Sequence, residues 1–160
     1  MRFFLDANIV SELMRHPRGG VAQRVAKVGQ QRVCTSIIVA AELRYGASKK
    51  GSPALSRLLE TVLEALDVVA LEPPVDAVYG ELRASLERIG RPMGANDLFI
   101  AAHALALGAT LVTANEREFR RVERYSSKTG SPIVMRYYNT VAPKRRENHG
   151  FSLASKIHFD

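Results

Sequence analysis

Three carboxylates stand where the surrounding sequence makes a carboxylate costly. Asp6 ends the apolar run of "FFLDANIVSEL". Glu42 follows Ile37, Ile38, Val39, Ala40 and Ala41 and precedes Leu43, in a stretch that reads as too apolar to lie on the surface. Asp97 opens "DLFIAAHALALG", where His103 is the other polar side chain before Gly108. Aspartate and glutamate are rarely buried without a partner. If the three converge to ~5 Å, each pair repels by ~3 kcal/mol at an effective dielectric near 20. Such a cluster must protonate or hold a cation. An all-oxygen donor set favours Mg²⁺ or Mn²⁺ over zinc. Carboxylates holding these ions serve phosphoryl chemistry, activating water and stabilising a leaving oxygen.

Each residue also has a plainer reading. Asp6 is equally a helix N-terminal residue, and Asp97 a first-turn acid facing the helix dipole. Glu42 can pair with an arginine, and Asn115 can cap the last helix. The combination is harder to explain that way, because each acid is set in an apolar element.

The elements that would position these groups follow from pattern. Residues 2–5 read as a short buried strand. A helix begins near Asn8 and stops at "RHPRGG". Residues 21–29 look helical, and 32–35 form a strand candidate. Ser36 has the type and position of an N-cap for "IIVAAELRYGASKK". Leucines and valines at helical spacing mark 52–66 as a helix. A strand at 67–71 and a helix opened by two prolines come next. The helix carrying Asp97 ends at Gly108. "ATLVT" is a strand, and a final helix starts at "NEREFRRV". Strands alternating with helices predict an α/β domain with a mostly parallel sheet. In such a sheet ligands gather outside the carboxyl ends of the strands. Asp6, Thr113 and Asn115 all follow a strand and so share one edge.

Composition narrows the setting. The chain has 160 residues and a net charge of +7, which favours an anionic partner such as nucleic acid. Residues 123–160 carry seven Lys/Arg and three Asp/Glu, so a net +4 lies in the last quarter. That segment holds a basic cluster (Lys144, Arg145, Arg146) and reads as an irregular tail, with "PIVMRYY" a possible strand. The expected organisation is a folded domain over 1–122 and a tail over 123–160. The apolar run before Asp6 is too short for a secretory leader, and no stretch reaches the ~20 residues of a membrane span. One cysteine, Cys34, allows no internal disulfide and suits a reducing cytoplasm. Cys34 reads as a buried small side chain. No P-loop, GxGxxG or GxSxG occurs, and the four histidines lack metal-ligand spacing. Tyr45 reads as a core or interface residue.

Four segments in order, "FFLDANIVSEL", "TSIIVAAELRYGA", "GRPMGANDLFIAAHAL" and "LVTANEREFRRV", resemble the PIN-domain family, and within it the VapC-type toxins of toxin–antitoxin pairs. They span residues 1–122. The resemblance implies a three-layer α/β/α sandwich with a mostly parallel sheet. It implies a Mg²⁺- or Mn²⁺-dependent endoribonuclease that hydrolyses RNA and leaves a 3′-hydroxyl and a 5′-phosphate. Asp6, Glu42 and Asp97 match the family's three acids as metal ligands and catalytic residues. A variable fourth acidic position is Asn115 here, a weaker ligand, with Glu118 one turn on as compensation. Thr113 matches a supporting residue. A homodimer and a small antitoxin that blocks the site are also implied, with residues 21–29 and 54–66 as groove walls. The tail departs from the family's usual short ending. Three other readings stay open: a PIN nuclease of RNA maturation, an RNA-binding module with a degenerate site, and a DNA nuclease or phosphatase. A carboxylate cluster alone does not choose among these; the RNA preference comes from the resemblance.

Overall fold

The structure, a computed structural model, describes residues 1–129 and 135–138, with the side chains of 123–129 outside that description. Five strands form one sheet: β1 (Phe3–Leu5), β2 (Val33–Ser36), β3 (Asp67–Val69), β4 (Thr110–Thr113) and β5 (Met135–Tyr137). Their order is β3-β2-β1-β4-β5, and every pairing is parallel. Helices α1 (Ala7–Arg15) and α2 (Gly20–Val28) link β1 to β2, and α3 (Ile37–Lys50) and α4 (Pro53–Glu64) link β2 to β3. Helices α5 (Val75–Arg88) and α6 (Ala95–Ala106) lead to β4, and α7 (Glu116–Thr129) leads to β5. Neighbours within α1–α4 pack on each other, as do α5–α7. The chain runs outward from β1 through β2 to β3, then crosses back to β4. Right-handed crossovers therefore put the two helix groups on opposite faces. This is the expected α/β/α arrangement.

Burial on both faces explains why the strands lack alternation. All three residues of β1 and all four of β4 are buried. Phe3 and Leu5 line a small cleft with Val21, Val25 and Val28 of α2. Phe4 faces the opposite layer, its ring edge-on to His103 of α6 with centroids 5.2 Å apart. The remaining core includes Ile9, Val10, Leu82, Leu86, Ile100, Leu111 and Phe119.

Local chemistry sets the boundaries. Asp6 caps α1 by accepting from the Ala7 N–H, and Ser36 caps α3 by accepting from the Ile38 N–H. Ser52 caps α4, with Pro53 in its first turn. Gly108 takes φ +58° just past α6, the left-handed position that the sequence reserves for glycine. Among the described residues, no helix is long and apolar enough to cross a membrane.

Two expectations change, the enclosure of α3 and the length of β3. Helix α3 is not enclosed: Ile37 is 41% exposed and Tyr45 68%, so Tyr45 is not a core residue. The helix packs on α1 and α4 and leaves its Ile37–Ala41–Tyr45 stripe to solvent. Strand β3 stops at Val69, and Leu71 is exposed before the two prolines. Val122 falls inside α7, and β5 lies within "PIVMRYY", the possible strand, and extends the sheet by pairing with β4. The basic cluster at 144–146 lies outside the described residues.

Phe4 is fully buried in the central strand between two layers. Phe4→Ala is expected to cost roughly 3–5 kcal/mol of unfolding free energy, checked by urea denaturation.

Candidate functional site

Strand register gathers the candidate residues. Leu5 pairs with Thr35 on one side and with Val112 on the other. The residues that follow, Asp6, Ser36 and Thr113, therefore leave the sheet side by side at its carboxyl edge. The Asp6 N–H continues the ladder by donating to Val112 O at 3.0 Å.

Asp6 is 3% exposed, and both of its oxygens are engaged. Oδ1 accepts from the Ala7 N–H at 2.7 Å. Oδ2 accepts from Thr113 Oγ1 at 2.6 Å and from Asn8 Nδ2 at 2.8 Å. Burial pushes its pKa up, and the Glu42 charge adds to that. The bonds from Thr113, Ala7 and Asn8 oppose the rise without cancelling it. Asn8 is itself held, since its Oδ1 accepts from the Ala114 N–H at 2.9 Å. The Thr113 hydroxyl accepts from the Asn115 N–H at 2.9 Å while donating to Asp6.

Glu42 comes from the other side of the cleft, on α3. It is half-buried rather than enclosed, because α3 is open on one flank. Its Oε1 accepts from Asn96 Nδ2 at 2.8 Å. Asp97, next to Asn96 in the first turn of α6, has its pKa pushed up to about 6. Burial is the largest cause, followed by the charges of Asp6, Glu42 and Glu118. The three expected acids and Glu118 thus share one field. Arg121 Nη1 lies 3.1 Å from Glu118 Oε2 and offsets part of its charge. Asn115 is half-buried at the same edge, and its carbonyl accepts from the Phe119 N–H in the first turn of α7.

Among the described residues, no three Asp, Glu, His or Cys side chains converge closely enough to ligate one ion directly. The oxygen-only donor set and the crowding of negative charge still fit a hard divalent cation that keeps part of its water shell. His103 and Cys34 are buried elsewhere in the core. Burial lowers the pKa of the first and raises that of the second.

Beside Glu42 a groove of about 390 Å³ opens between α1, α3 and α4. Met14, Leu43, Ala47 and Leu55 give it an apolar floor, and Arg15 and Lys50 add positive charge. One expected wall, α4, is present. The other, α2, lies against Phe3, Leu5 and Val33 instead.

The PIN-domain family model matches residues 3–125. The chain belongs to the PIN-domain family. Ribonuclease VapC2 of Rickettsia felis is 39% identical over 124 residues, covering 76% of this chain and 92% of that protein. The tRNA(fMet)-specific endonuclease VapC of Shigella flexneri is 35% identical over 123 residues, with the same coverage. The crystal structure of VapBC2 from Rickettsia felis bound to a promoter DNA fragment aligns with a TM-score of 0.74 and 32% identity. It covers 87% of this chain and all of that one.

In this PIN domain, sequence reasoning missed Asn8 and Asn96. Both stand within two residues of a candidate acid, in "LDAN" and "AND". That adjacency was the available signal. Their roles need the fold, because Asn8 reaches β4 and Asn96 reaches α3.

The raised pKa of Asp97 has a consequence for stability. Between the ordinary carboxylate range and about 6, the native state holds a proton that the unfolded chain has released. Stability from this group is full below that window and is lost as pH rises through it. Asp97→Asn is therefore expected to raise the Tm of metal-free protein at pH 7 by roughly 2–4 °C. The gain should vanish near pH 4, as read by differential scanning calorimetry.

Proposed function

We propose that this PIN domain is the ribonuclease toxin of a toxin–antitoxin pair, hydrolysing RNA with Mg²⁺ or Mn²⁺. The carrying observation is the strand register that sets Asp6 and Thr113 side by side at the carboxyl edge of a parallel sheet, with Glu42 held by Asn96 beside Asp97. The charges of Asp6, Glu42 and Glu118, which help push the Asp97 carboxyl up to about 6, support a shared site. The similarity to VapC ribonucleases supports RNA as the substrate.

Asp6, Glu42 and Asp97 would hold the ion in part through water, with Asn115 as a neutral fourth donor. When bound, the ion supplies charge neutralisation at the phosphate and acidifies a water molecule. The remaining work falls to the chain. Thr113 and Asn8 fix Asp6 so that its carboxylate does not rotate. Asn96 holds one oxygen of Glu42. Near neutral pH Asp97 is largely ionised and able to accept a cation. Hydrolysis would leave the 3′-hydroxyl and 5′-phosphate ends that the family resemblance implies.

The partners follow from the same surfaces. The groove beside Glu42 suits an antitoxin segment that blocks the cleft, with apolar side chains on its floor and acidic groups toward Arg15 and Lys50. The exposed Ile37–Ala41–Tyr45 stripe suits a second copy in a homodimer. A reducing cytoplasm suits the lone buried thiol of Cys34. A second reading is favoured by Asn115, neutral where the resemblance leads one to expect an acid. In that reading the chain binds RNA, with salt-dependent affinity, but turns none over.

Purified protein and mixed tRNA and ribosomal RNA separate the two. Cleavage is expected with Mn²⁺ or Mg²⁺ and lost in EDTA. Asp6→Ala and Asp97→Ala should lower the rate on the order of 10²–10³-fold while the fold survives. Full activity in either variant would refute the site. Binding without turnover would select the second reading.

A further inference from the structure

Two polar contacts tie α3 to α6. At one, Ser36 Oγ lies 3.0 Å from His103 Nδ1, with both side chains buried. At the other, Asn96 Nδ2 donates to Glu42 Oε1 at 2.8 Å. The start of α3 meets the end of α6, and the middle of α3 meets the start of α6. The two helices therefore run in opposite directions. Along α3 the contacts are six residues apart, roughly 9 Å, and along α6 seven, roughly 10 Å. Matched spacing lets both close in one axial alignment. A slip of one residue, about 1.5 Å, would open both.

We propose that the Ser36–His103 pair is a positioning device: it fixes where α6 lies along α3, and so how Asp97 meets Glu42. The inference rests on the metal-dependent reading above. His103 does not touch the cleft; it acts through α6. Ser36 Oγ accepts from the Ile38 N–H at 3.0 Å and shares a second hydrogen bond with His103 Nδ1 at 3.0 Å. Phe4 holds the ring plane, edge-on at 67°. Burial favours the neutral ring. Capping of α3 alone would require Ser36 but not a histidine opposite it.

His103→Leu tests the device, since it keeps an apolar volume and removes the ring nitrogen. The first readout needs no metal: the side-chain NH₂ signals of Asn96 in ¹⁵N-edited NMR spectra of the full chain. The second is Mg²⁺ affinity by calorimetry, without RNA. The Asn96 signals are expected to move to free-amide positions, and Mg²⁺ affinity to fall roughly tenfold. His103→Asn, whose side-chain oxygen reaches the Nδ1 position, should recover both. Asn96 signals that stay in place in folded His103→Leu overturn the proposal, as does unchanged Mg²⁺ affinity. If His103→Leu does not fold, Ser36→Gly removes the same bond at a position where glycine is tolerated as a cap, with the same expectations. A wild-type chain that binds no Mg²⁺ overturns the metal reading instead. The Asn96 signals, taken without metal, still decide whether the pair aligns the helices.

Discussion

The Asp6 carboxylate is buried and yet met by three hydrogen-bond donors, and much of the molecule contributes to that arrangement. It sits at the end of the central strand, 3% exposed, where desolvation alone would favour the neutral acid. Three donors reach it: the first N–H of α1, the Asn8 amide and the Thr113 hydroxyl. Two of those donors are held in turn, Asn8 by the Ala114 N–H and Thr113 by the Asn115 N–H. The order of the sheet makes this possible. Had β4 not been the neighbour of β1, Asp6 would lack the Thr113 hydroxyl that donates to it.

Glu42 and Asp97 have a different difficulty. Among the described residues neither forms an ion pair, and the Glu42 charge helps push the Asp97 carboxyl up. The protein shares this strain between two helix groups from opposite faces of the sheet. Only the fold keeps those groups together at this edge. The polar contacts between α3 and α6 give that union a defined geometry.

Much of this was legible in the sequence, for particular physical reasons. Unbroken apolar runs of three or four residues announced strands covered on both faces. Caps such as Ser36 and Ser52, and Gly108 after α6, announced helix ends. The acids were visible because each interrupts an apolar pattern. One error has a plain cause. Apolar content in α3 was taken for burial, yet content does not say which side of a helix is covered, and Ile37 and Tyr45 lie on the open one. Asn8 and Asn96 were out of reach for another reason. Their partners lie 106 and 54 residues away, and a polar residue beside an acid carries no mark of such a bond. The groove was half legible: the amphipathic pattern of α4 showed a buried face, but α2 has a similar pattern and spends it on β1 and β2.

The central position of β1 carries a further meaning. Its two neighbours come from distant parts of the chain, β2 soon after it and β4 more than a hundred residues later. A chain ending before α6 would contain Asp6 and Glu42 but neither Asp97 nor the Thr113 hydroxyl. Half of β1 would lack its partner strand, and Asp6 would lose the donor that helps it ionise. The cluster of acids therefore comes together as a unit, once β4 has joined β1.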